Sequence, residues 1–291
     1  MHRRKPRFDD DEPRDLRYRP RHIEYDCSDD GIPDVGDRWS TWDISTAGER
    51  GPEPYPDWLV TELAAVDVER GPLKTGKEAD VHLLERTVPG KRSCLLAAKR
   101  YRDFRHRQFH RDVSYQEGRR MRRSRENRAM RTRTSFGRYL ISAQWARAEF
   151  DALHTLWQLG ASVPYPVQVV GTEVLLEFVG DADGVAAPRL AELPVRGDEL
   201  SLLWAQLEDM LVLMARAGIA HGDLSAYNLL VHEGRLVMID LPQVVDVVAN
   251  PSGPSFLDRD ALGVARWFGA RGLPVDAPAL VDLLHGEARL R

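Results

Sequence analysis

The chain has 291 residues, is 43% hydrophobic and 30% charged, and carries 41 Lys and Arg against 45 Asp and Glu, for a net charge of -4. That length supports one two-lobed domain or two small ones around a sizeable core, and the near balance of charge makes no global case for nucleic-acid binding. Two cysteines, Cys27 in a polar stretch and Cys94 in an apolar one, argue against a disulfide framework or a thiolate metal site; no run approaches the ~18 apolar residues of a membrane span, and the opening MHRRKPRFDDDEPRD lacks an apolar signal core, so a reducing cytoplasm is expected.

Residues 1–50 alternate Arg, Asp and Pro with few aliphatics and are predicted to be a disordered charged tail. Trp39 and Trp42 stand out within it and read as docking on the folded body or on a partner, the body being the simpler choice. PYPDWLVTELAAV then offers Asp57 as a helix N-cap followed by helical spacing. GPLKTGKEADVHLLER and KRSCLLAAKRYR read as two strands joined by TVPGKR. Residues 102–138 hold about a dozen arginines and almost no aliphatics, which predicts a mobile basic loop or a helix that orders only against something anionic. SAQWARAEFDALHTLWQLG is an amphipathic helix closed by Gly160, and VQVVGTEVLLEFVG is a hairpin of two buried strands. DELSLLWAQLEDMLVLMARAG is a second long helix whose Leu200, Leu203, Leu207, Leu211 and Met214 form a core stripe. YNLLVHEGRLVMID is a hairpin turning at HEG, and SFLDRDALGVARWFGARG and DAPALVDLLHGEA are further helices. This order predicts an α+β architecture with a sheet-rich first lobe, a helical second lobe and a ligand cleft between them.

The chemistry gathers around the short hairpin. Asp223 and Asn228 bracket the loop DLSAYN, and Asp240 ends the paired strand. An amide oxygen and a carboxylate at Asn228 and Asp240, with water and phosphate oxygens, suit a hard divalent cation such as Mg²⁺. Asp223 is then left to orient a hydroxyl or a water, which is the set of parts phosphoryl transfer needs. An ordinary Asp turn plus a strand-end acid is the plainer reading of any one of these residues; three around one hairpin make it the weaker. Upstream, period-two spacing puts Lys99 on the same side of its strand as Leu95 and Ala97, where an ammonium needs an anionic partner. Glu149 lies beside an apolar helical stripe and can supply it, leaving Lys99 to hold the α- and β-phosphates of a nucleotide. KTGKEAD, a turn between strands, brings backbone N–H groups at Thr75, Gly76 and Lys77 and the Lys77 charge as weaker candidates for phosphate contact; taken by itself, a plain polar turn is the simpler reading.

TGKEADVHLL, AAKRY and HGDLSAYNLLVHEGRLVMIDLPQ together resemble the RIO family of atypical serine/threonine protein kinases, closest to its first-type subfamily, from about residue 71 to the C-terminal helices. The STGKEA-like phosphate loop, here KTGKEA, and DLSxYN followed by IDxxQ carry the likeness. The resemblance implies a two-lobed protein-kinase-like fold with a small antiparallel-sheet N-lobe at 51–180, including the basic loop and the glutamate helix, and a reduced helical C-lobe at 181–291. It implies ATP with Mg²⁺ or Mn²⁺, Lys99 paired with Glu149, Asp223 as the catalytic acid/base, and Asn228 and Asp240 as metal ligands. It also implies that Leu176, Glu177 and Phe178 form the linker whose backbone meets adenine, that the counterpart of Asp240 can accept phosphate, and that some members act mainly as ATPases in small-ribosomal-subunit maturation. RNA or the small ribosomal subunit, met through the arginine-rich loop, is a candidate partner, a solvated loop being an equally simple reading of that segment, and no membrane is expected.

Departures from ordinary protein kinases are visible. His221-Gly222-Asp223 stands for histidine-arginine-aspartate, Asp240-Leu241-Pro242 stands for Asp-Phe-Gly, and only about fifty residues follow Asp240, too few for a long activation segment and a full peptide groove. Two other functions share parts of the pattern. HGDLSAYNLLV is also like aminoglycoside- or choline-type small-molecule kinases, against which KTGKEA and LPQ argue. An RNA- or ribosome-binding module switched by nucleotide would use the arginine loop for phosphate neutralisation.

Overall fold

The computed structural model describes residues 33–102 and 135–290. Its main sheet has six strands in the order β1-β2-β3-β4-β6-β5. These are β1 (Arg38–Trp39), β2 (Val66–Thr75), β3 (Ala79–Thr87), β4 (Ser93–Tyr101), β5 (Pro166–Val170) and β6 (Glu173–Glu177), every neighbouring pair antiparallel. Helix α1 (Ser135–Gln158) joins β4 to β5 and begins well before Ser142, where the apolar spacing starts. The Ser142 hydroxyl donates to the carbonyl of Arg102 at 2.8 Å, pinning the helix to the end of β4.

The second lobe contains α2 (Gly197–Arg216), the short strand β7 (Ile219–Ala220), the hairpin β8 (Leu229–His232) and β9 (Arg235–Met238), β10 (Val245–Asp246), α3 (Gly253–Gly269) and α4 (Ala277–Glu287). The α2 stripe is core as its spacing predicts, with Leu200, Leu203, Leu207, Leu211 and Met214 all buried. Gln206 on the same helix clasps the hairpin, accepting from Leu236 N at 2.8 Å and donating to Gly234 O at 2.9 Å. The hairpin turns at Glu233 (φ 52) and Gly234 (φ 75), two consecutive left-handed residues whose twist matches that of the flanking strands.

The two faces of the main sheet go to different uses. Along β4, Cys94, Leu96 and Ala98 are buried in a back-face core with Trp42, Leu59, Val60 and Tyr165. Lys99 and Tyr101 point the other way, towards α1 and the second lobe.

That back-face core corrects two expectations. The tail reading of residues 1–50 fails for 33–50, which are part of the fold; residues 1–32 lie outside the described residues. Trp42 is 4% exposed, stands edge-on to Tyr55 and is covered by the Arg50 guanidinium, which also donates to Trp42 O at 2.7 Å. Burying one indole removes ~150–250 Å² from water, worth ~4–6 kcal/mol, which offsets part of the chain entropy lost when a segment of polar average composition is ordered. Trp39, in contrast, stays 45% exposed. Gly51 lets this segment lie against β5: a Cβ there would sit 2.0 Å from the Pro166 carbonyl oxygen.

The helix expected from Asp57 is absent as well. Residues 57–65 form turns, with the adjacent Leu59 and Val60 both buried under the sheet. Arg92 donates to the carbonyls of Asp57 and Leu59, each at 3.0 Å, and to the Glu62 carboxylate at 2.9 Å. Those carbonyls thereby find partners outside a helix, and burial of two neighbouring side chains outweighs local helical spacing.

A polar network crosses the same face. Arg86, 0% exposed, makes two bonds to Asp67 (2.7 and 3.1 Å) and one to Gln168 (2.9 Å), whose amide donates to Thr41 at 2.6 Å. Asp67 and Arg86 are directly opposite in the β2–β3 register, so the sheet itself sets their geometry.

Candidate active site

Lys99 Nζ lies 2.7 Å from Glu149 Oε1 and 2.7 Å from Asp240 Oδ1, joining β4, α1 and the end of the β8–β9 hairpin in one charge cluster. Glu149 is 1% exposed and fully engaged. Its Oε2 accepts from the Tyr101 hydroxyl at 2.6 Å, and its Oε1 also accepts from Leu241 N at 3.3 Å. The period-two placement of Lys99 and the stripe-edge placement of Glu149 thus bring the two into contact, as their spacing predicts. Tyr101 was not foreseen, although it follows Lys99 by two residues and so shares its face.

Burial alone would make Lys99 easier to deprotonate, but Glu149 and then Asp240 reverse that and hold its pKa above the ordinary lysine value. Burial likewise disfavours the Asp240 carboxylate, and Lys99 outweighs it, so the Asp240 pKa lies below the ordinary value. The Tyr101 hydroxyl is kept protonated by burial and then by the neighbouring Glu149 charge. Asp240 itself has a left-handed backbone, φ 68, a conformation more often given to glycine and a local strain of the kind functional sites hold.

The loop 221–228 is held from below. Asp260, on α3 and 2% exposed, accepts from Gly222 N at 2.7 Å and from Leu224 N at 3.0 Å, gripping the amides on both sides of Asp223. Burial pushes the Asp260 carboxyl up, and His221 and the two N–H donors only partly oppose that. Arg259 donates to Gly222 O from the same helix turn. His221 has Nε2 3.1 Å from Ile239 O, while its Nδ1 lies 3.4 Å from the Asp223 N–H; these partners suit the tautomer protonated at Nε2. Sequence reasoning missed Asp260. The signal was an acid among the helix-face residues Leu257, Ala261 and Val264, where only a buried partner justifies a charge.

Asn228 donates its amide N–H to Asp223 O at 3.0 Å, which fixes the side chain and orients its oxygen. Its own carbonyl accepts from Ile239 N at 2.9 Å, so the end of the loop lies beside Asp240 across the hairpin. Among the described residues no group of three or more His, Cys, Asp or Glu is spaced to enclose a metal ion. An amide oxygen and a carboxylate beside a cleft fit a hard cation whose coordination is completed by water and phosphate.

The β2–β3 turn is the roof. Gly76 donates to Ala79 O at 3.0 Å, and a Cβ on Gly76 would sit 2.7 Å from that oxygen, so the turn needs glycine. Of the three amides at Thr75, Gly76 and Lys77 read as phosphate donors, Gly76's is therefore already engaged. At the other end of the cleft, β6 closes at Glu177, whose carboxylate accepts from Tyr165 N at 2.9 Å and whose own N–H donates to Tyr165 O at 2.8 Å. Leu176 pairs with Ala97 in β4, and Phe178 follows directly, at the exit from the sheet towards the second lobe.

A family model described as the RIO domain matches residues 96–280, a span that contains Lys99, Glu149, Asp223, Asn228 and Asp240 but not Thr75 to Lys77. The chain belongs to the RIO family. A relative named RIO-type serine/threonine-protein kinase Rio1, from Haloferax volcanii, is 33% identical over 226 residues, covering 76% of this chain and 70% of that one. Serine/threonine-protein kinase RIO1 of Saccharomyces cerevisiae is 31% identical over 134 residues, 45% of this chain but only 28% of the yeast protein. Among solved structures, the Rio2 kinase–ADP/Mg²⁺–phosphoaspartate complex from Chaetomium thermophilum aligns with a TM-score of 0.51 at 21% identity, over 72% of this chain and 59% of that one. At that identity the likeness speaks for the fold, and the RIO chain is two-lobed and kinase-like, with an antiparallel sheet above a short set of helices. No helix among its described residues is long and apolar enough to cross a membrane.

Proposed function

We infer that this RIO-type serine/threonine kinase binds ATP in the cleft between its lobes and moves the terminal phosphoryl group to a hydroxyl, to water, or to a group of its own. The observation that carries the reading is Lys99 held between Glu149 and Asp240 at 2.7 Å each. An ammonium so fixed, and kept charged by both carboxylates, presents a positioned cation to α- and β-phosphates. Glu149 orients it from the buried side, with Tyr101 and Leu241 N holding Glu149 in turn. Asp223 accepts a proton from, or orients, the attacking oxygen, and Asp260 keeps its loop in place. Asn228 and Asp240 are the ligands for Mg²⁺, which when bound neutralises phosphate charge and sets the phosphates in line. The Rio2 structure is named as an ADP/Mg²⁺–phosphoaspartate complex, which is in keeping with Mg²⁺ as the ion here and with an aspartate as one acceptor of the phosphoryl group. Thr75 and Lys77 close the phosphates from above, on a turn that Gly76 shapes, and the backbone at Leu176 to Phe178 meets the adenine.

The arginine-rich segment falls almost entirely at 103–134, outside the described residues. Its composition supports RNA or the small ribosomal subunit as partner, with affinity that falls steeply with salt, and the sparse cysteines of the chain support a reducing cytoplasm as location. The deciding experiment for the active site is Asp223→Asn: labelled-phosphate transfer and ATP hydrolysis should disappear while nucleotide binding persists. Turnover at an appreciable rate by that variant would remove Asp223 from the chemistry.

A further inference from the structure

The family-like STGKEA pattern has serine where this chain has Lys74, and the sheet aims that lysine into the cleft. In the β2–β3 register Pro72 pairs with His82 but Lys74 pairs with Val81, so a bulge falls between them. Val81 in turn pairs with Lys99. Lys74, Val81 and Lys99 therefore form one row across three strands, and residues directly opposite one another share a face. Without the bulge, Lys74 would fall opposite Asp80, in the row of Arg100 on the back face. Bulges of this kind re-aim side chains beside functional sites. Lys99 has two carboxylates within ion-pair distance; among the described residues Lys74 has none.

A second cation approaches from the other lobe. Arg189 is fixed by an isolated bridge to Leu230, next to the loop that holds Asn228, and its guanidinium donates to the carbonyl of Tyr227. Its electrostatic reach extends to the sheet. Partial burial, and then the Arg189 charge, hold the Lys74 ammonium below its ordinary pKa, while Asp240 acts the opposite way. The strand register thus puts Lys74 on the cleft side of the sheet, and the bridge to Leu230 with the bond to Tyr227 O puts Arg189 beside the loop of Asn228, so each lobe brings one cation to the same end of the cleft. Like charges opposed across a gap favour an anion between them.

We propose that Lys74 from the sheet and Arg189 from the second lobe form a cation pair across the mouth of the cleft that grips the terminal phosphate of a bound nucleoside triphosphate, beyond the phosphates reached by Lys99. The pair rests on the reading of the cleft as a nucleotide site. It makes the site select triphosphate over diphosphate, and it releases its hold once the terminal phosphoryl group has left.

The test is calorimetric titration of the full chain with Mg²⁺ and either a non-hydrolysable ATP analogue or ADP. Lys74→Met removes one charge. Arg189→Gln removes the other while its amide can still reach Tyr227 O. Each should weaken the ATP analogue about tenfold or more and ADP less than about threefold, the effect of losing one charge-assisted phosphate contact. Lys74→Arg should keep the triphosphate preference. Unchanged preference in either neutral variant, or an equal loss for both nucleotides, overturns the clamp and leaves the nucleotide site standing. Failure of the unmutated chain to bind either nucleotide overturns the nucleotide reading and the clamp with it.

Discussion

Asp260→Ala tests whether the floor of the active site is set from α3. Asp260 accepts from Gly222 N at 2.7 Å and Leu224 N at 3.0 Å with one carboxylate that is 2% exposed. Each bond to a charged acceptor contributes ~1.5–3 kcal/mol, and truncation leaves two buried amides without partners. Against this stands the cost of burying the carboxylate, visible in its raised pKa. The balance predicts a loss of ~2–4 kcal/mol for Asp260→Ala and about half that for Asp260→Asn, which keeps one acceptor oxygen. The catalytic effect should be larger than stability alone explains. Asp223 lies between the two gripped amides, and slack of ~1 Å in a reacting group lowers turnover about 100-fold. ATP affinity should change little, because Lys99 and Glu149 are anchored on other elements. Denaturant melts with initial rates of ATP hydrolysis at saturating nucleotide read both quantities. A folded Ala variant within ~0.5 kcal/mol of the parent, or with kcat within about threefold, would refute the positioning argument.

Two further outcomes follow from the back of the sheet. Arg86→Met leaves Asp67 buried with only Arg38, 3.4 Å away, and should cost about 3 kcal/mol, the lower end for a broken buried pair; adding Asp67→Leu should restore most of it, and a double variant as unstable as the single one by chemical denaturation would contradict this account. Glu173 is partly buried between Arg38 and Arg100; that burial raises its pKa, but the two guanidinium groups outweigh it and hold the carboxyl below its ordinary 4.5. A depressed acid stabilises above its unfolded value and loses that contribution as pH falls through the folded one. The stability difference between the parent and Glu173→Gln should therefore be constant from about pH 5 to 8 and shrink below about 4.5, and a difference that varies between pH 5 and 8 would assign it to another group.

Much of the site was legible because its signals are local. Lys99 two residues after Ala97 and Glu149 at the edge of a helical stripe each declare a face, and opposite charges on facing sides must meet. The bracket of Asp223 and Asn228 with Asp240 is set by one hairpin whose turn, Glu233-Gly234, is written in consecutive residues. The roof was less legible. KTGKEA shows a turn, but not that Gly76 already gives its N–H to Ala79 O, nor that a bulge turns Lys74 inward.

Alone, the chain of residues determined what short-range periodicity and turn chemistry can encode: the strands, the long helices, the core stripe of α2, and the acids and amide of the hairpin. Only the tertiary structure decided which distant groups share a buried space. Trp42 under the sheet, Arg86 between Asp67 and Gln168, and Asp260 beneath Gly222 and Leu224 are each separated from a partner by many residues. A buried charge is tolerable only where a partner arrives from elsewhere in the chain. That condition belongs to the packed molecule, and no local window of sequence contains it.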